Sequence, residues 1–170
     1  MKHIQEWLDE YGQSHQNRIN KRIHWVCVPL IMISLVGLLS IVRFSEYLFL
    51  IGLGNSYDID SLWMLFFYFD LSTILILIAF LYYLRMSIPM ASGMLVIGIL
   101  VRLICDLLVF VFPVNYRLVF SMIFVAGWIG QFIGHKIEGK KPSFIKDVQF
   151  LLIGPAWLLS FIFNKFGIRY

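Results

Sequence analysis

Residues 91–112 read ASGMLVIGILVRLICDLLVFVF, and Arg102 and Asp106 are the only charged residues in that run. A helix needs about 20 mostly apolar residues to cross the hydrocarbon core of a bilayer. A strand of a membrane barrel is shorter and alternates in polarity, and an open sheet cannot leave its backbone groups unpaired in lipid. The run has no alternation, so it reads as a membrane-crossing helix. It sets the fold class as all-α, an integral membrane helical bundle.

Three further runs on either side meet the same test: residues 24–42, 62–84 and 118–134. A fifth apolar stretch, residues 148–163, is short and contains Gly154-Pro155. It is read as a kinked span, a re-entrant hairpin or a segment lying in the interface. The expectation is four spans plus this segment, in one membrane domain over residues 1–170. Composition agrees: 60% of the chain is hydrophobic and 14% is charged, against about 45–50% and about 25% in soluble domains. A particle this small leaves roughly a third of its extended surface exposed, so the excess apolar surface must face lipid. The same numbers exclude a disordered chain.

Residues 1–19 are polar by comparison. Ile4, Trp7, Leu8, Tyr11 and His15 share one face at helical spacing, with Gln5, Glu6, Asp9, Glu10, Gln13 and Ser14 filling the rest. This is the pattern of an amphipathic helix on a membrane surface. It lacks the apolar core of a secretory signal, so the first span is expected to be retained. With four spans, Lys2, Arg18, Lys21, Arg22, Arg85, Lys136, Lys140, Lys141 and Lys146 fall on one side and Arg43 and Arg117 on the other. Lys and Arg favour the cytoplasmic side, which places the N-terminus and the segment after residue 134 there. The net charge of +4 is thereby absorbed by topology, and no nucleic-acid or protein partner is expected. Cys27 and Cys105 both lie in apolar runs and read as packed thiols.

The chemistry rests on histidine. Of His3, His15, His24 and His135, the last three fall at the cytoplasmic ends of helices once the spans are drawn. His15 and His24 are nine residues apart, about 180° on one unbroken helix, so they meet only if the chain bends. Asn17 and Asn20 lie between them, and Asn is a preferred N-cap. The reading is a surface helix ending near Gln16 and a span starting near Asn20. Gly130 and Gly134 form a small-xxx-small pattern for close helix packing. Gln131, His135 and Glu138 share a face of that helix. Three imidazoles with Glu138 as a further candidate suit Fe(II) or Zn(II). Glu138 could equally pair with Lys141, His3 is a possible extra ligand, and Asn20 and Gln131 are candidates to orient the ligands. Asp70 and the Arg102–Asp106 pair are charges within apolar runs, and they are given no catalytic role.

The motif Tyr11-x-x-x-His15-x-x-x-x-Asn20-x-x-x-His24 followed by Pro29 resembles the N-terminal signature of the membrane 2-hydroxy fatty acid dioxygenases, a family that includes the fungal enzyme of phytosphingosine breakdown. Trp128-x-x-Gln131-Phe132-x-Gly134-His135-x-x-Glu138, Lys141-Pro142 and Gly154-Pro155 resemble its second signature, in the spacing of bacterial-type members. The resemblance implies Fe(II) held by His15, His24 and His135. It also implies α-oxidation, in which a long-chain 2-hydroxy fatty acid and dioxygen give an acid one carbon shorter. The bacterial inner membrane is the favoured location, or the endoplasmic reticulum in a eukaryote. Arg22 or Lys136 could hold the substrate carboxylate. Two other readings stand beside this one: a b-type haem protein, and a non-enzymatic lipid-binding or scaffold protein.

Overall fold

The computed structural model describes residues 4–43, 69–139 and 144–170, with side chains from residue 151 onward in the last stretch. Among them are six helices and no strand: α1 (Ile4–Gln13), α2 (Arg18–Leu39), α3 (Leu71–Leu84), α4 (Ile88–Val111), α5 (Tyr116–Glu138) and α6 (Phe144–Lys165). Three of these, α2, α4 and α5, are long and apolar enough to cross a membrane. The described part of the expected second span is α3, 14 residues long; residues 62–68 of that expectation lie outside the described stretches.

Local chemistry sets the boundaries. Asn17 caps α2, its side chain accepting from the amides of Ile19 (2.8 Å) and Asn20 (3.5 Å). The helix therefore starts before Asn20, and α1 stops at Gln13, short of Gln16. Asp70 and Ser87 cap α3 and α4 through the amides of Thr73 and Met90. Gly139, with φ of 73°, ends α5 in the left-handed conformation that glycine adopts freely, its amide turned back to the carbonyls of His135 and Lys136.

α2 packs most extensively against α5, and a stripe of glycines explains why. A Cβ at Gly127 would stand 2.7 Å from Ile31 Cγ1, one at Gly130 would overlap Cys27 Sγ, and one at Gly134 would overlap Asn20 Oδ1. The α5 backbone thus lies directly on α2 along three positions, one more than the Gly130–Gly134 pattern suggests. This brings the last turn of α5 against the first turns of α2.

The charges within apolar runs are paired. Arg102 on α4 bonds Asp70 at the head of α3, donates to Ser72 Oγ at 2.8 Å and reaches Asp106 at 3.2 Å. The intrahelical Arg102–Asp106 pair is as expected. Asp70, within the apolar run 62–84, caps α3 and is fully buried.

The fifth segment forms one helix that runs through Pro155. Its described residues meet Tyr11 and Gly12 of α1, Trp25 and Val28 of α2, Tyr83 at the end of α3, whose hydroxyl donates to the Leu152 carbonyl, and Gly93 near the start of α4. All of these partners belong to the histidine end of the bundle, so α6 packs across that end. The amphipathic pattern of α1 is present, but Ile4, Leu8 and Tyr11 are buried against Ile153, Ala156 and Trp157 of α6. Its apolar face covers protein.

Candidate metal centre

His15 sits in the four-residue link between α1 and α2, His24 early in α2, and His135 in the last turn of α5. The bend that the nine-residue spacing requires is made by that link, where the amides of Ser14 and His15 close onto the carbonyls of Tyr11 and Gly12. His15 and His24 are buried and His135 is half-buried. One candidate ligand atom from each of the three lies within 4.8 Å of the other two. Among the described residues, these histidines form the group that converges in this way.

Hydrogen bonds orient two of the rings. His15 Nδ1 lies 2.7 Å from the Tyr11 carbonyl, and His24 Nδ1 lies 3.0 Å from the Asn20 carbonyl. A carbonyl only accepts, so each Nδ1 carries the hydrogen and each neutral ring offers Nε2 as a lone pair. The two Nε2 atoms are 2.9 Å apart. Two acceptors at that distance repel unless a cation sits between them, either an extra proton or a metal ion. The His135 ring lies 5.5 Å and 5.3 Å from the other two. Three imidazoles suit a divalent transition metal, so the cluster could hold one. The Tyr11 ring stacks on His15 at 4.1 Å, and Trp157 closes over both.

Glu138 is placed differently from the histidines. Its carboxylate accepts from the amides of Gln16 (2.7 Å) and Asn17 (3.0 Å) and from Asn20 Nδ2 (2.9 Å). It binds the α1–α2 link to the end of α5, and it is not among the three converging residues. Asn20 is fully buried between Glu138 and Gly134, and its Oδ1 has no hydrogen-bond partner among the described residues. The absence of a Cβ on Gly134 lets a Cα hydrogen face that oxygen. His3 and Lys141 lie outside the described residues. Arg22 and Lys136 are exposed, and neither lines the cavity below the histidines.

That cavity has a volume of about 140 Å³ and opens among α2, α3, α4, α5 and α6. His135, Gln131 and Tyr11 line one end, and Val36 and Val101 line the other. Gln131, one turn before His135, is 8% exposed and has no side-chain hydrogen bond among the described residues. Sequence reasoning placed Gln131 near the ligands and missed Trp157, because nothing in a mixed apolar stretch distinguishes the aromatic that will fold over a distant turn.

A family model described as 2-hydroxy-palmitic acid dioxygenase Mpo1-like matches residues 1–166, and the chain belongs to that family. No curated protein and no solved structure gives a significant match.

Proposed function

We propose that this member of the 2-hydroxy-palmitic acid dioxygenase Mpo1-like family is an Fe(II)-dependent dioxygenase that shortens long-chain 2-hydroxy fatty acids by one carbon. The observation that carries the reading is the convergence of three histidines, one of which, His135, lines the polar end of a largely apolar cavity. Atoms balance with one dioxygen: a 2-hydroxy acid and O₂ give the shortened acid, carbon dioxide and water. No external reductant is needed.

His15, His24 and His135 would hold the iron, which when bound supplies the activation of dioxygen beside the substrate's hydroxyl and carboxylate. The protein's part is positioning. The carbonyls of Tyr11 and Asn20 hold two rings with Nε2 presented, and Glu138 keeps the His15 link against α5. The Gln131 amide can donate to a carboxylate at the cavity mouth. Tyr11 and Trp157 pack on His15 and shield it. The site as a whole is proposed to lie at the cytoplasmic face of a four-span protein. The Lys and Arg distribution supports that orientation, and the bacterial-type spacing around His135 favours the inner membrane.

Haem is a weaker fit. Nitrogens 2.9 Å apart cannot stand on opposite faces of one porphyrin, and a Soret band in the purified protein would be needed to restore that reading. A scaffold role predicts no metal and no effect of replacing the histidines. The test is product analysis by mass spectrometry. Detergent-purified, anaerobically Fe(II)-loaded protein is given 2-hydroxyhexadecanoic acid and then air. The acid one carbon shorter is expected from the natural chain and not from His135→Ala. Bound iron without product would move the chemistry elsewhere.

A further inference from the structure

We infer that the cavity is a closed-ended slot for an unbranched acyl chain, and that Val36, Val101 and Gly98 set the longest chain it accepts. The inference rests on the reading above for the identity of the head group and on the cavity itself for the tail.

The slot is chemically asymmetric. Tyr11, Tyr83, Gln131 and His135 line the histidine end, and beyond them the walls are hydrocarbon and thioether apart from the Trp128 indole. An amphiphile would therefore enter with its polar end at His135 and Gln131. Val28 and Val36 both line the slot and lie eight residues apart on one helix, about 12 Å along its axis. That is longer than a short hydroxy acid needs. Its far end lies against packed protein: Val36 and Val101 belong to a buried cluster with Cys105 and Phe120, and the Phe120 ring is wedged against Gly37. One turn before Val101, Gly98 lines the slot opposite Ile76, and a Cβ added there would stand 3.1 Å from Ile76 Cγ2. Ile76 lines the slot as well, so a larger side chain at Gly98 has to push Ile76 aside or enter the slot itself.

A larger residue at Gly98 should raise the floor, and a smaller one at Val101 should lower it. The full-length protein in detergent is incubated with an equimolar ladder of saturated straight-chain fatty acids that lack the 2-hydroxyl. Native mass spectrometry then identifies the acids retained. These probes read the tail without turnover. Gly98→Leu should lose the longest acids that the natural chain keeps, by roughly fourfold for each methylene denied burial, while shorter acids stay. Val101→Ala should extend retention to longer acids. Should Gly98→Leu not be recovered as a monodisperse protein, Ala79→Leu fills the same slot from α3. An unchanged length window in the filled and the enlarged variants overturns the inference, as does failure of the natural chain to retain any acid. Shifted windows with no shortening of 2-hydroxy acids would leave the slot standing and overturn the reaction. Normal shortening with unmoved windows would do the reverse.

Discussion

His15 and His24 point their Nε2 atoms at each other across 2.9 Å, while both Nδ1 atoms are held by backbone carbonyls. In the neutral state this faces lone pair against lone pair inside the protein, and only a cation relieves it. Metal should therefore stabilise the fold. At a hundredfold excess over Kd the gain is about 2.7 kcal/mol. A thermal melt in detergent should shift upward with Fe(II) or Zn(II) and downward with chelator. His15→Ala and His24→Ala should abolish the metal response. A melt indifferent to both additions would remove the metal from the account.

Glu138 should act on the centre through the link it ties rather than as a ligand. Its oxygens are taken by the amides of Gln16 and Asn17 and by Asn20 Nδ2. Glu138→Ala should weaken metal affinity roughly 10- to 100-fold, the usual range for an orienting partner. The visible spectrum of the Co(II)-substituted protein should keep its shape, because the ligand set is unchanged. Glu138→Gln, which retains one acceptor oxygen, should recover part of the affinity. A changed Co(II) spectrum would make Glu138 a ligand.

The contact between α5 and α2 should be testable as a pair. A Cβ on Gly130 would overlap Cys27 Sγ, so Gly130→Ala should destabilise by about 1–3 kcal/mol and loosen metal binding, since His135 rides on the same helix. Adding Cys27→Ala removes the obstructing sulfur and should restore most of the loss. Simple additivity of the two changes in a double-mutant cycle would show that the helices do not meet there.

Arg102 joins Asp70 and Asp106, and Asp70 has no exposed surface. Arg102→Ala would leave a carboxylate buried without its cation, at a cost of about 3–5 kcal/mol. Arg102→Met with Asp70→Asn removes both charges and should be milder. Neither should alter metal stoichiometry in the folded protein, because the pair lies on α3 and α4 away from the histidines. Loss of metal from the milder double variant would contradict that separation.

The histidines were legible from sequence because the constraint on them is topological. The expected even number of crossings would return both chain segments to one face, and a nine-residue spacing demands a bend. Long apolar runs such as 91–112 were legible because lipid leaves a chain few choices. What escaped depended on which groups meet across the bundle. Glu138 has the spacing of a ligand, yet its carboxylate also accepts from the Gln16 and Asn17 amides, a contact that spacing alone does not show. Asp70 reads as a charge within a span until Arg102, thirty-two residues on, is brought beside it. The apolar stripe of α1 has the periodicity of a lipid-facing helix, and α6 offers it a protein surface of the same chemistry.

On the proposed function, Gln131 is expected to read the substrate's head group. It is buried at the mouth of the slot, one turn from His135, and without a side-chain partner among the described residues. A hydrogen bond to a charged group contributes about 1.5–3 kcal/mol. Gln131→Leu keeps the bulk and removes the amide, so kcat/KM for a 2-hydroxy acid should fall roughly 10- to 100-fold by the same reckoning. Metal content should stay at the level of the natural chain, which separates substrate contact from ligand orientation. If the amide holds the carboxylate in the ground state and the transition state alike, KM rises and kcat is kept. A fall confined to kcat would mean that it acts only as the reaction proceeds. A drop in bound metal would instead assign Gln131 to the support of His135.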